Sequence, residues 1–390
     1  MNEALNIIFT GNFPFPNGFA GTKRVQQYID YLHEQSVSVS VLVLRGKPDI
    51  QGNEQGEGLF RGVPYRVIGR DLQPGLRLPI SLLRFFCDGA GFLKQRRHPD
   101  AVNILFHYGQ PTIENIWALL LARGMGFRIV HDLVEDYDLQ ESAYSGVLTR
   151  FKAWSRNRMS RFIPNLSAGL VVISRHLEQK YTGCGVPMIR IPIAAEVSDR
   201  LADRLRHNPV RIAYAGTYAA KDGIHILLEA YQKVRKEYPD CVLCLAGGRK
   251  SPLGDFPPEL TVGVEYAGYL DDAAFYRFLQ EADILCMTRM NSAFANAGFP
   301  FKLGEYLATG NPVVASRVSN LEEYLTDRQD VMLVEPESVQ ELSNALLYLL
   351  QNADEARRIG LSGQKVCQER FNPQANGEKL LRFLMRLEKK

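Results

Sequence analysis

A lysine and a glutamate three residues apart give this chain its most specific chemical signal. They lie in Asn296-Ala297-Gly298-Phe299-Pro300-Phe301-Lys302-Leu303-Gly304-Glu305-Tyr306, followed by Gly310-Asn311-Pro312-Val313. Pro300 can begin a helix at its first position, and the spacing puts Lys302 and Glu305 on one helical face. Gly310 ends that helix and Pro312 opens a strand. A lysine beside phosphates and a glutamate accepting from ribose hydroxyls would form a nucleotide clamp. In isolation the same two residues read first as a surface ion pair, and it is the surrounding motif that favours the clamp.

Three further segments carry residues of the same kind. Tyr214-Ala215-Gly216-Thr217 runs through Lys221-Asp222-Gly223 into an apolar stripe. A strand meets a helix N-terminus here, where exposed N–H groups and Lys221 favour an anion; Asp222 also reads as an N-cap. The loop Gly11 to Arg24 follows the first strand. Gly18 and Gly21 permit close backbone approach, Thr22 is a candidate N-cap, and Lys23 and Arg24 fall in a first helical turn, where the dipole favours anions. Finally, Arg128-Ile129-Val130 empties into His131, Asp132, Glu135, Asp136 and Asp138. His131 and Asp132, read as following the strand, are site candidates, and Asp136-Tyr137-Asp138 reads as a solvated turn. Neither G-x-G-x-x-G nor G-x-x-x-x-G-K-[ST] occurs at these loops, so neither a dinucleotide fingerprint nor a P-loop is supported.

The elements that must position these residues alternate between strand and helix. Strands are expected at Asn6–Thr10, Val37–Leu44, Ala101–Phe106, Phe127–His131, Leu170–Ser174 and Met188–Ile193. After a polar stretch, Ser198 to Pro209, they resume at Val210–Tyr214, Cys241–Ala246, Val262–Tyr266, Asp283–Met287, Pro312–Ala315 and Val331–Val334. Helical stripes lie between them, such as Val25, Tyr28, Ile29, Leu32 and Ile224, Leu227, Leu228, Tyr231, Val234. Two runs of β-α units predict an α/β protein with two Rossmann-like, doubly wound parallel-sheet domains. In such sheets ligands bind beyond the carboxyl ends of the strands.

Composition narrows the class. The chain has 390 residues, 46% hydrophobic and 23% charged, with a net charge of +3, which does not fit a whole-protein nucleic-acid binder. The opening residues lack a cationic leader and a long apolar core, so no signal peptide is expected, and no run reaches the roughly 18 apolar residues of a membrane span. Six cysteines are scattered. Cys241 and Cys244 sit in an apolar strand pattern, where residues three apart face opposite sides; they read as structural, and a cytoplasmic location fits.

In order, Gly216…Lys221-Asp222-Gly223, Leu245-Ala246-Gly247-Gly248, Tyr266-Ala267-Gly268-Tyr269, Ala282-Asp283 and Phe299-Pro300-x-Lys302-x-x-Glu305-Tyr306 resemble the donor half of retaining GT-B glycosyltransferases of family 4. The Gly18–Gly21 loop, His131-Asp132 and Ile173-Ser174 resemble its first half more loosely. The resemblance implies two domains facing each other across a cleft, 1–200 for the acceptor and 201–371 for the donor, with a C-terminal helix from about 372 packing back on the first. It implies a nucleotide-sugar donor, UDP- or GDP-linked, as substrate rather than cofactor, and no metal. Donor contacts are then expected from Gly216, Thr217, Lys221, Gly248, Arg249, Tyr269, Asn296, Gly298, Phe299, Lys302, Leu303 and Glu305. Lys221, Lys302 and Glu305 act on the leaving group, and His131 lies near the reacting carbon. Gly18, Gly21, Thr22 and Asp132 form the acceptor-side loop. Two departures stand out: Ala297 occupies the position of the first glutamate of the Glu-x7-Glu pattern, and Thr217 that of a frequent arginine.

Two basic, aromatic-rich stretches suggest peripheral contact with anionic membrane, or else helices with one solvated face. One spans Arg77 to Arg97; the other includes Arg150, Lys152, Arg156, Arg158 and Arg161. A glycan or lipid-linked acceptor is the expected partner. An epimerase of the same fold, or a non-catalytic binding protein, shares the nucleotide clamp and is the alternative.

Overall fold

A computed structural model describes residues 4–46, 50, 52–69, 78–109, 111, 115–139, 158, 160–197, 207–216, 218–248, 251 and 253–387. The chain divides into two compact units. The first comprises Met1–Pro192, Ala297–Phe299 and Pro373–Lys390; the second comprises Ile193–Asn296 and Pro300–Asn372.

The first unit is built on an eight-stranded sheet. Its strands are β1 (Ala4–Gly11), β2 (Ser38–Val43), β3 (Glu57–Phe60), β4 (Val63–Val67), β5 (Ala101–Tyr108), β6 (Arg128–Leu133), β7 (Gly169–Val172) and β8 (Met188–Arg190). Their order is β3-β4-β2-β1-β5-β6-β7-β8. All neighbours are parallel except the β3–β4 hairpin. The β1 residues Ile7 and Phe9 face one core and Ile8 the other; in β2, Val41 and Val43 alternate likewise with Leu42. A doubly covered sheet needs this, since consecutive strand residues point to opposite faces. One face packs against the helix Ala20–Glu34, whose Val25, Tyr28, Ile29 and Leu32 are buried. The other packs against Leu78–Arg96 and Ile116–Gly124. The helix Pro373–Arg386 belongs to this unit: its Leu380, Phe383 and Leu384 join the core of β1 and the Ala20–Glu34 helix.

The second unit holds β9 (Val210–Ala215), β10 (Cys241–Ala246), β11 (Val264–Gly268), β12 (Ile284–Met287), β13 (Val313–Ser316) and β14 (Met332–Val334). Their order is β11-β10-β9-β12-β13-β14 and every pair is parallel. The helix Ile224–Glu237 buries Ile224, Leu227, Leu228, Tyr231 and Val234 on this sheet. Cys241 and Cys244 are free, buried thiols of β10, as the sequence pattern requires.

Both sheets reverse strand order at their first strand. β1 lies between β2 and β5, and β9 between β10 and β12. Crevices therefore open at the carboxyl ends of β1 and β9, where the glycine-bearing loops leave the sheets.

Truncating the C-terminal helix's contribution should destabilise the first unit. Leu384 is fully buried, so Leu384→Ala is expected to cost about 2–5 kcal/mol. Both tryptophans, Trp117 and Trp154, lie in the first unit, so urea unfolding followed by tryptophan fluorescence reads it out. An unchanged midpoint would show that the helix contributes no core.

Candidate functional site

The second unit assembles its polar residues at the end of β9. Tyr306, from the helix Phe301–Leu307, reaches under the strand; its hydroxyl accepts from the Ala215 N–H (2.7 Å) and donates to the Ala215 carbonyl (2.8 Å). The next residue is Gly216, at φ +156°. A Cβ there would come within 2.8 Å of the Lys302 ammonium, and a Cβ on Gly247, at φ +114°, within 2.1 Å of the Gly216 carbonyl. Only glycine allows these two strand ends and the lysine to approach so closely.

Lys302 donates to the Tyr214 hydroxyl at 2.6 Å and to Asp222 Oδ1 at 3.0 Å, and its ammonium lies 4.3 Å from the Tyr214 ring centre. Its side chain is 17% exposed and that of Asp222 is 6% exposed. Burial pulls the Lys302 pKa below its ordinary value; Asp222 opposes this, while Arg289 and Lys221 lower it further. Asp222, expected as an N-cap, has another role. The helix begins at Ile224 with Gly223 as its left-handed cap, and the carboxylate serves as counter-ion to Lys302. The Asp222 carbonyl accepts from Thr288 Oγ1 and the Lys221 carbonyl from the Met290 N–H, so the loop is tied to the residues that follow β12. The Lys221 ammonium sits 5.1 Å from the Phe294 ring centre.

The other expected donor residues are less uniform. Glu305 is half-buried, while Lys302 turns to Asp222 rather than to it. The exposed Gly248 offers its carbonyl, with that of Gly247, to the Tyr266 hydroxyl. Tyr269 is largely exposed. Asn296 is internally engaged: its amide donates to Asn291 Oδ1 and its oxygen accepts from the Ser319 N–H. Leu303 is wholly buried, so its side chain belongs to the core and not to a ligand surface. Ala297, Gly298 and Phe299 are also buried. Thr217 and Arg249 lie outside the described residues. Sequence reasoning missed Tyr214 and Tyr306; the available signal was their position at the end of β9 and on the Lys302 helix.

In the first unit the expected acceptor loop is largely structural. Thr22 is not the N-cap; the helix starts at Ala20, and Thr22 Oγ1 donates to the Pro14 carbonyl at 2.6 Å. Gly18 lies against the Thr22 hydroxyl and Gly21 against the Tyr108 ring. The anion that Arg24 meets is a protein carboxylate. Arg24 binds Asp132 in a fork, Nε to Oδ2 at 2.8 Å and Nη2 to Oδ1 at 3.0 Å, and donates to the Pro192 and Ile191 carbonyls at 2.7 and 3.0 Å. Both partners are buried. Against the lowering effect of burial, Asp132 holds the Arg24 pKa above its ordinary value.

The strand expected to end at His131 runs on to Leu133, so Asp132 as well as His131 lies within β6. His131 is 0% exposed. The Ser167 hydroxyl donates to the Ile163 carbonyl, so it accepts from His131 Nδ1, and the ring is the Nδ1–H tautomer. Burial, with His107 beside it, holds the ring neutral, its pKa well below the usual histidine value. Asp136 is not a solvated turn residue. It is 2% exposed and binds Lys180 at 2.6 Å and His176 at 3.0 Å, while Lys180 also binds Asp138 at 2.7 Å. These partners hold its carboxyl below the ordinary range despite the opposing effect of burial.

Comparison with known proteins agrees with this geometry. Residues 209–352 match the family model "Glycosyl transferases group 1". The chain is 23% identical over 356 residues to the phosphatidyl-myo-inositol mannosyltransferase of Mycobacterium leprae, covering 89% of this chain and 87% of that one. It is 26% identical over 234 residues to an amylovoran biosynthesis glycosyltransferase of Erwinia amylovora, a match spanning only 56% of either chain. Among solved structures, sucrose-phosphate synthase from Thermosynechococcus elongatus aligns with a TM-score of 0.78 at 16% identity, over 98% of this chain and 99% of that one. Anabaena HepE in complex with UDP and glucose aligns with a TM-score of 0.72 at 16% identity, over 97% and 99%. The fold is that of GT-B glycosyltransferases. Residues 209–352, which apart from Ala297–Phe299 lie within the second unit, match a glycosyl transferases group 1 domain.

Two outcomes follow from the charges. Asp132→Ala leaves a buried guanidinium without its anion and should destabilise the first unit by about 3–5 kcal/mol, measured by denaturant unfolding; a loss below 1 kcal/mol contradicts the burial of the pair. Lys302 should lose its proton below the ordinary lysine value of 10.5. Asp222 raises that pKa, so Asp222→Asn should move it lower still. Side-chain NMR titration reads both, and an upward shift in the variant would remove Asp222 as the counter-ion.

Proposed function

We propose that the chain is a retaining glycosyltransferase that moves a sugar from a UDP- or GDP-sugar to a glycan or lipid-linked acceptor. The observation that carries this reading is the largely buried Lys302, its ammonium beside Gly216 at the carboxyl end of β9, with Lys221 and the N-terminus of the Ile224–Glu237 helix nearby. Exposed helix N–H groups and fixed cations together favour phosphate. Negative charge grows on the nucleoside diphosphate as the glycosidic bond breaks, so preorganised cations stabilise the transition state more than the ground state. Tyr214 and Asp222 hold the ammonium in place before donor arrives. Glu305, on the same helix, is assigned the ribose hydroxyls. Lys302 and Lys221 supply the charge that a divalent metal would otherwise bring, so no metal is given a role. For retention, the acceptor hydroxyl attacks from the face the diphosphate leaves, and the departing phosphate oxygen takes its proton. Asp136 and Asp138 are held by Lys180 and are assigned no nucleophilic step.

The acceptor reading rests on the first unit. Ile80, Leu83 and Phe86 of the Leu78–Arg96 helix and Leu120 of the Ile116–Gly124 helix are exposed. Phe86 packs on Trp117 at 4.9 Å, joining the two helices into one apolar face, and Arg84, Lys94 and Arg97 are exposed along the first of them. This combination suits an anionic lipid surface carrying the acceptor. In the second basic stretch, Arg158 and Arg161 are exposed, while Arg150, Lys152 and Arg156 lie outside the described residues. No helix among the described residues is long and apolar enough to cross a membrane.

Lys302→Ala should slow sugar transfer by about a hundredfold or more, as removing one preorganised charge-stabilising donor does, and wild-type turnover should persist in excess chelator. The donor is first identified by thermal shift across nucleotide-sugars, since a ligand of the folded state raises its stability. Unchanged turnover in the variant, or transfer abolished by chelator and restored by magnesium or manganese, defeats the assignment.

A further inference from the structure

We infer that His176 binds the acceptor sugar: its Nδ1 accepts a hydrogen bond from an acceptor hydroxyl, while Asp136 holds the ring from behind. The inference rests on the reading of the chain as a glycosyltransferase whose first unit takes the acceptor.

His176 lies on the helix Arg175–Tyr181, which leaves the carboxyl end of β7. Asp136 lies in the loop that leaves the carboxyl end of β6, the neighbouring strand. In parallel sheets ligands bind beyond this end. The start of the helix also meets another segment of the first unit, because its N-cap Ser174 donates through Oγ to the Ala297 carbonyl. In sequence that segment runs on through Phe299 into Pro300 and the Lys302 helix.

His176 Nε2 lies 3.0 Å from Asp136 Oδ2. The other carboxylate oxygen, Oδ1, accepts from Lys180 Nζ at 2.6 Å and from the Asp138 N–H at 3.2 Å. Against burial, which opposes ionisation, Lys180 and His176 hold the Asp136 carboxyl below the ordinary range. An ionised carboxylate only accepts, so His176 Nε2 carries the hydrogen and the neutral ring has its lone pair on Nδ1. The His176 side chain is 38% exposed. Its Nδ1 meets no donor among the described residues and reaches solvent.

An ion pair that merely closes the loop does not need the imidazole. Lys180 alone bridges Asp136 and Asp138, at 2.6 and 2.7 Å, and ties the loop to the helix. What His176 adds is a fixed lone pair. A buried carboxylate sets the tautomer and direction of its ring, as the orienting carboxylate does for a histidine that meets a hydroxyl in catalytic triads. No proton transfer is assigned to it here. Sugar hydroxyls donate hydrogen bonds, and an acceptor atom of fixed direction selects one orientation of the sugar. Asp136 and Asp138, read from the sequence as a solvated turn, thereby support a binding residue.

The test measures transfer by the full chain from UDP-glucose or GDP-mannose to octyl glucoside, octyl mannoside and octyl galactoside. His176→Gln can keep an amide N–H on Asp136 but has no Nδ1, whereas His176→Ala loses both. Each should lower kcat/KM for the glycoside by about tenfold, the worth of one hydrogen bond left unmade, with the KM for donor unchanged. Nitrogen NMR of the wild-type histidines in mildly alkaline solution should show the His176 hydrogen on Nε2, a readout that needs no variant to fold. A glutamine variant with wild-type kcat/KM, an equal loss on the donor and acceptor sides, or the Nδ1–H tautomer overturns the role of His176. Hydrolysis of the donor with no transfer to any glycoside also overturns it, and leaves the donor reading standing. A wild type that neither transfers nor hydrolyses sugar from either donor overturns the glycosyltransferase reading itself.

Discussion

Lys302 sits between Asp222 and Tyr214 because an ammonium taken largely out of water costs several kcal/mol unless other groups replace its hydration. Much of the second unit's local arrangement meets that requirement. Tyr306, one helical turn beyond Lys302, binds both polar groups of Ala215 and fixes the helix against β9. Glycine at 216 leaves room for the ammonium. The loop carrying Asp222 is held by Thr288 and Met290. A change in any of these contacts moves the lysine relative to the strand end.

The first unit contains a contrasting solution. Arg24 is also a cation near the end of a first strand, but its donors reach Asp132 and two backbone carbonyls within the fold. That pair is closed, and it serves architecture by joining the first helix, β6 and the segment after β8. The Lys302 pair is less completely enclosed: 17% of the lysine side chain reaches solvent. Closure separates a structural buried charge from one available to a ligand, and residue type does not reveal which is which.

That difference also marks how far the sequence could be read. The parallel strands were legible because both faces are covered, which leaves near-continuous apolar runs; Cys241–Ala246 is the clearest case. The β3–β4 hairpin was not, because it is half-buried at the sheet edge and mixes Gly58, Pro64 and charged residues. The Ile224 stripe and the Lys302 helix were legible from period and punctuation. The partners of their side chains were not. Thr22 and Asp222 look like caps locally, yet each is claimed by a group elsewhere in the fold, Asp222 by a lysine 80 residues on. Asp132 was placed beyond its strand because nothing local shows that β6 runs to Leu133.

The helix Pro373–Arg386 completes the core around β1, although it follows the whole second unit along the chain. Domains commonly fold in order as they leave the ribosome, N-terminal first. Here that order is inverted. Residues 193–372 can be complete while the opening 192 residues still lack Leu380, Phe383 and Leu384. Until residues 373–386 have emerged, the first unit lacks the Leu380, Phe383 and Leu384 side chains that share a core with Val25, Ile29 and Leu32.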